Sequence, residues 1–170
     1  MIDIQDAYDE LHSAETPKAK YKASLKIIKQ LCKAGEIANA QNTLEVLTRD
    51  YAKQANIPEI KIQKATAPLI QLGYKNSVPK ILESIEKDLE SNKRNNFTYL
   101  EHLLEGAHKN ALESKLYSPK ELNMIDETIE KIRNKILDTK AKAQPEDIMD
   151  WKVTTLVEAA KKIMEYETED

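Results

Sequence analysis

Apolar residues recur along this chain at spacings of three and four rather than two, a period that belongs to helices rather than strands. Eight helices follow from it. The first is expected over about 3–14, with Asp3 as N-cap and Ile4, Ala7, Tyr8 and Leu11 on one side, and Thr16-Pro17 breaks it. A second, about 18–33, turns Tyr21, Leu25, Ile28 and Leu31 inward and ends at Gly35, which suits a left-handed C-terminal residue. A third, about 36–54, places Ile37, Ala40, Leu44, Leu47 and Tyr51 on one stripe.

Asn56-Ile57-Pro58 leads into a fourth helix, about 58–72, with Ile62, Ala65, Leu69 and Leu72 on its apolar side. Pro68 should kink or split it, and Gly73 ends it. Ser77 caps a fifth, about 78–91, carrying Val78, Ile81, Leu82, Ile85 and Leu89. After the polar connection 91–96 comes a sixth, about 97–115, with Phe97, Leu100, Leu104, Ala107 and Ala111. Ser118-Pro119-Lys120-Glu121 is a strong start signal: the Ser hydroxyl can accept from the third amide, Glu121 can reach back, and Pro119 fits the first helical position. The seventh helix then carries Leu122, Ile125, Ile129, Ile132 and Ile136 to about 142. Pro145 opens an eighth, expected to bury Ile148, Trp151, Thr155, Ala159 and Ile163.

Shifting the chain by 38 residues places Leu31 on Leu69, Gly35 on Gly73, Leu44 on Leu82, Glu45 on Glu83 and Asp50 on Asp88. The shared unit reads helix, Gly turn, helix. Gly35-Glu36-Ile37-Ala38-Asn39-Ala40, with Leu44 and Leu47 following, and the echo in Gly73, Val78, Leu82 and Ile85, resembles the tetratricopeptide family over about residues 20–90. The unit departs from that family at Ile28, where the family uses a small residue, and in its length. The resemblance implies antiparallel hairpins stacked side by side, with the first helix of each lining a concave binding side. Gly35 and Gly73 would then be equivalent reversals. The expected fold is therefore all-α, antiparallel helix hairpins stacked as a short solenoid or compact helical bundle of about eight helices. One domain spans 1–170: an acidic N-terminal helix (1–16), two hairpin repeats (18–91), a longer third hairpin (97–142) and a C-terminal capping helix (145–167).

Composition sharpens this picture. Three glycines and six prolines in 170 residues are too few for the turns of a sheet protein. The start of the chain is acidic where a secretory segment would be basic and then apolar, and no apolar run approaches the roughly 20 residues of a membrane span. A single cysteine, Cys32, permits no internal disulfide and lies on an apolar stripe, where it reads as a small core residue. A soluble protein of the cytoplasm, with no membrane association, is expected.

Charge is unevenly placed although the net value is only −3. Asp3, Asp6, Asp9, Glu10 and Glu15 come first; Lys18, Lys20, Lys22, Lys26, Lys29 and Lys33 follow without an acid among them. Lys18, Lys22, Lys26, Lys29 and Lys33 share one helical face, at spacings of four, four, three and four. The face could hold an acidic peptide or phosphates, with Tyr21 or Tyr51 nearby. The plainer alternative is that the acidic first helix folds back and neutralises it. Nucleic acid is not expected, because Arg is nearly absent here and Tyr21 is the one interleaved aromatic.

Candidate chemistry is sparse. Glu105-x-x-His108, with Glu101 one turn earlier, has the spacing of a di-iron bundle ligand pair. At about 100° per residue, His108 falls roughly 60° and Glu105 roughly 120° from the centre of that helix's apolar stripe, toward the flank or solvent. No phosphate-cradling Gly-rich loop, zinc spacing or nucleophile elbow occurs. The expected function is a non-catalytic protein–protein interaction or adaptor module, with no cofactor and an unidentified protein or acidic peptide as partner. The alternatives are a helical-bundle metal protein or enzyme using Glu101, Glu105 and His108, and a structural protein that self-associates as a homodimer through the seventh and eighth helices.

Overall fold

Thr16 sits in extended conformation, its Oγ1 accepts from the Ala19 amide at 3.1 Å, and Pro17 follows at the first helical position. That pairing of side-chain cap and pre-set φ opens α2 (Pro17–Lys33) directly after α1 (Ile4–Ser13). At the other end, Gly35 adopts φ 74°, the Glu36 amide donates to Leu31 O at 2.9 Å and the Gly35 amide to Cys32 O at 3.1 Å. This is a Schellman motif. α3 (Ile37–Val46) runs without a break into a π-helical turn (Leu47–Ala52), and the chain leaves it through Asn56, also left-handed at φ 56°. Ile57 N to Ala52 O (2.9 Å) and Asn56 N to Lys53 O (3.2 Å) repeat the same closing pattern.

The computed structural model describes residues 4–91, 96–143 and 158–164. All regular structure among them is helical: the elements above, then α4 (Glu59–Glu90), α5 (Phe97–Ser114) and α6 (Pro119–Lys142). These named elements number seven, the π turn included and the helical stretch 158–164 apart, where about eight helices were expected. The largest difference is α4. The fourth and fifth helices expected from the sequence are one helix of 32 residues that passes through Pro68, Gly73 and Pro79. Gly73 is not a reversal and Ser77 is not a cap; no second hairpin turns there, so the 38-residue superposition does not mark a repeated turn.

Two compact units are present, the first comprising 1–80 and 109–122, the second 81–108 and 123–170. In the first, α2 packs against α1, α3 and the π turn. Its core gathers Ala7, Tyr21, Ile27, Ile28, Leu31, Cys32, Ala40, Leu47, Ala52 and Ile62. The glycines explain how α4 closes on this group. A Cβ on Gly73 would stand 3.0 Å from both Cys32 Sγ and Ile37 Cδ1, and one on Gly35 would stand 2.5 Å from Asn76 O. The two residues are thus opposite sides of a single close approach between the α2–α3 corner and the middle of α4.

That contact is polar as well as tight. Asn76 Nδ2 donates to Cys32 O and Lys33 O, both at 3.2 Å, joining the Gly35 amide on the first of these two C-terminal carbonyls of α2. Gln41 Nε2 donates to Tyr74 Oη at 2.6 Å, and Lys80 Nζ meets Glu36 Oε1 at 3.0 Å. Pro79 has no amide to offer Lys75 O, four residues back. The Tyr117 hydroxyl donates to that carbonyl instead, at 2.7 Å. At Pro79 another segment thus supplies the donor that the helix ladder lacks.

In the second unit Ile85, Phe97, Leu100, Leu104, Ile129, Ile132 and Ile136 form the core, flanked by Ile81, Leu82, Leu89, Leu103 and Ile125. Asn96 Oδ1 caps α5 through the Tyr99 amide at 3.0 Å. The capping box read at Ser118 forms as expected: Glu121 N donates to Ser118 Oγ at 3.1 Å and Ser118 N to Glu121 Oε1 at 3.0 Å. Of the eighth predicted helix, Ile148, Trp151 and Thr155 lie outside the described residues. Residues 158–164 are helical, but Ala159 and Ile163, expected in the core, are exposed.

Candidate functional site

α2 is the helix in which lysines, Lys18, Lys20, Lys22, Lys26, Lys29 and Lys33, occur without an acid among them. Tyr21, Ala23, Ser24, Ile27, Ile28, Leu31 and Cys32 are buried on one side. Lys18, Lys22, Lys29 and Lys33 are exposed on the other. At about 100° per residue these four lysines fall within an arc of roughly 60°, and at 1.5 Å per residue they span about 22 Å of helix. Lys26 lies at the margin of the arc, roughly 80° from Lys18.

Position within the arc decides which lysine is paired. Lys26 Nζ donates to both carboxylate oxygens of Glu10 on α1, at 2.9 Å each. α1 reaches that position because Ala7 is buried and Ile4 and Leu11 pack on the same core, which brings the acidic helix along one flank of α2. The expected fold-back neutralisation therefore occurs at one lysine. Lys18, Lys22, Lys29 and Lys33 make no ion pair among the described residues. With both partners more than two-fifths exposed, Lys26–Glu10 contributes on the order of 0–1 kcal/mol.

The aromatic residues expected beside the row are elsewhere. Tyr21 is 5% exposed and belongs to the core, so its ring is closed to a ligand; burial pushes its hydroxyl pKa up. Its angular position, roughly 60° from Lys18, fits either the edge of the basic face or the edge of the core, and spacing alone does not separate the two. Tyr51 is half-buried in the π turn, with the Lys20 ammonium 6.0 Å above its ring. Leu25 belongs less simply to the interior than its apolar spacing suggests. It is half-buried and packs on the core, yet lies only about 20° from Lys18 around the helix axis. Its spacing is the signal for this, three residues after Lys22 and four before Lys29.

The other candidate residues do not converge. Glu105 and His108 are exposed on α5 and Glu101 is half-buried; His108 Nε2 lies 3.3 Å from Asp126 Oδ1. Among the described residues no group of three or more His, Cys, Asp or Glu side chains could hold a metal ion. Cys32 is fully buried, and burial drives its thiol pKa up to about 11, with the Gly73 backbone opposing, so it stays protonated and unreactive. The isoleucine row offered as a dimer seam is used internally, since Ile129, Ile132 and Ile136 are buried in the second unit's own core. Among the described residues no helix is long and apolar enough to cross a membrane.

No family model, curated protein or solved structure matches the chain.

Proposed function

We propose that this protein is a non-catalytic protein–protein interaction module that receives an acidic segment of its partner on the lysine face of α2. One observation carries this reading: four exposed lysines stand in a row on a helix anchored by its opposite side, with no carboxylate paired to them among the described residues. A solvated face evolved only for solubility has no need of a single sign over about 22 Å, and mixed signs serve that purpose better. Fixing the row on a packed helix removes most of the backbone ordering that a flexible basic tail would undergo on binding. The π turn and the α4 contact hold α2 from behind, and Lys18, Lys22, Lys29 and Lys33 are exposed on the other side.

The test is retention on an immobilised glutamate-rich peptide. The wild-type chain is expected to bind at low ionic strength and to elute as salt rises, since exposed charges are screened beyond about 10 Å at 0.1 M. The triple variant Lys22→Glu, Lys29→Glu, Lys33→Glu is expected to pass unretained with its far-ultraviolet circular dichroism unchanged. Equal retention of the folded variant would remove the lysine face from any role in binding.

A further inference from the structure

If the lysine face binds an acidic segment as proposed above, the arrangement of the row narrows the partner further. We infer that the occupant is itself an α-helix, with carboxylates at positions i, i+4, i+11 and i+15 and an apolar residue near i+7, lying along α2. The spacing of the unpaired lysines is uneven: Lys18 and Lys22 form one pair and Lys29 and Lys33 another, each about 6 Å apart, with about 10 Å of helix between the pairs. Leu25 stands in that gap, half-buried and close to the line of the row. Two ionic doublets around an apolar point form a pattern with a register. A second helix has the same rise and the same period, so residues at four and eleven meet this pattern turn for turn.

Other polyanions fit less well. A single strand of nucleic acid is held by stacking its bases on exposed rings and by Arg as well as by charge. The row contains no Arg, and its nearest ring, Tyr21, is in the core. Inorganic polyphosphate has nothing to place on Leu25. The chain already holds one acidic helix against α2: α1 sets its Glu10 carboxylate on Lys26 while Ala7, Ile4 and Leu11 make the apolar contact. The inferred partner would repeat that combination of carboxylate and aliphatic contact on the open part of the face.

Fluorescence anisotropy with labelled synthetic peptides tests this on the full chain. One helix-favouring peptide carries Glu at i, i+4, i+11 and i+15 with Leu at i+7. A second has the same composition with the Glu residues at i+4 and i+15 moved to i+6 and i+17, where they face away from the other two. The in-register peptide is expected to bind at least about tenfold more tightly, to lose about tenfold with Lys22→Glu, Lys29→Glu protein, and to weaken severalfold when its Leu becomes Ser or a central Pro breaks its helix. If both peptides bind equally and the lysine variant abolishes both, the helical register is wrong while the interaction reading survives. If neither binds, both fall. Polyphosphate or single-stranded DNA binding as tightly as the in-register peptide, and losing as much with the same variant, would make the row a general polyanion surface and overturn the inference.

Discussion

Two of the three glycines belong to the contact between the α2–α3 corner and α4, and they should respond differently to the same substitution. Gly35 has φ 74°, where a side chain costs roughly 1–2 kcal/mol, and its added Cβ would meet a backbone oxygen at 2.5 Å. Neither the Asn76 carbonyl nor the turn can move without disturbing the helices that hold them. Gly35→Ala is therefore expected to destabilise by more than about 2 kcal/mol. Gly73 is helical, so Ala there gains up to about 1 kcal/mol of helix preference. Its Cβ would press on Cys32 Sγ and Ile37 Cδ1 at 3.0 Å, a crowding that costs about 1–3 kcal/mol. Gly73→Ala should thus lose clearly less than Gly35→Ala in urea unfolding. Equal losses would mean that the two positions do not play these separate parts.

At the scale of elements, a boundary is legible in the sequence wherever local chemistry makes it. The Thr16-Pro17 start of α2, the Gly35 stop and the Ser118/Glu121 box depend on residues within five positions of one another, so spacing alone reveals them. α4 departs from expectation for the opposite reason. Gly73 and Pro79 are local breaking signals, and what offsets them lies far away in sequence: Cys32 and Ile37 fill the space beside Gly73, and Tyr117 supplies the donor that Pro79 lacks; nothing in the structure explains how Pro68 is accommodated. The lysine row is equally legible from its spacing, whereas the selection of Lys26 as the paired member requires the position of α1. A double-mutant cycle tests the proline account. Tyr117→Phe leaves the part-buried Lys75 carbonyl without its donor and should cost about 1–2 kcal/mol. Pro79→Ala returns an amide to the helix ladder, so in that background the same Tyr117→Phe change should cost measurably less, by on the order of 0.5 kcal/mol or more. Additive effects in chemical denaturation would show that the hydroxyl does not substitute for the proline's missing amide.

For the whole molecule, the titrating groups separate into an acid set near the surface and an alkaline set in the interior, and the two edges of the pH profile should differ accordingly. Lys80 holds the Glu36 carboxyl below its ordinary range, Arg49 does so for Asp50, and the Ser118 cap for Glu121. Stability from these lowered groups is complete above their unfolded values near 4 and is lost as pH falls through the folded ones. All three are solvent-accessible, so the acid edge should be shallow and softened further by salt. On the alkaline side, burial raises Tyr21, Tyr117 and, furthest, Cys32, whose thiol reaches about 11. A raised folded value means the contribution is whole below the unfolded pKa near 8.5 and disappears as pH climbs toward the folded one. Over that interval an unfolded chain releases the thiol proton while the folded chain retains it, which lowers stability by up to about 1.4 kcal/mol per pH unit. Cys32→Ala lacks the thiol and leaves every tyrosine and lysine in place. Measured against its own value at pH 7, the variant should lose less stability than the wild-type chain between pH 9 and 11. Parallel profiles would mean that the thiol ionises in the folded chain as readily as in water, and that the seal made by Gly73 and Ile37 over Cys32 is open to solvent.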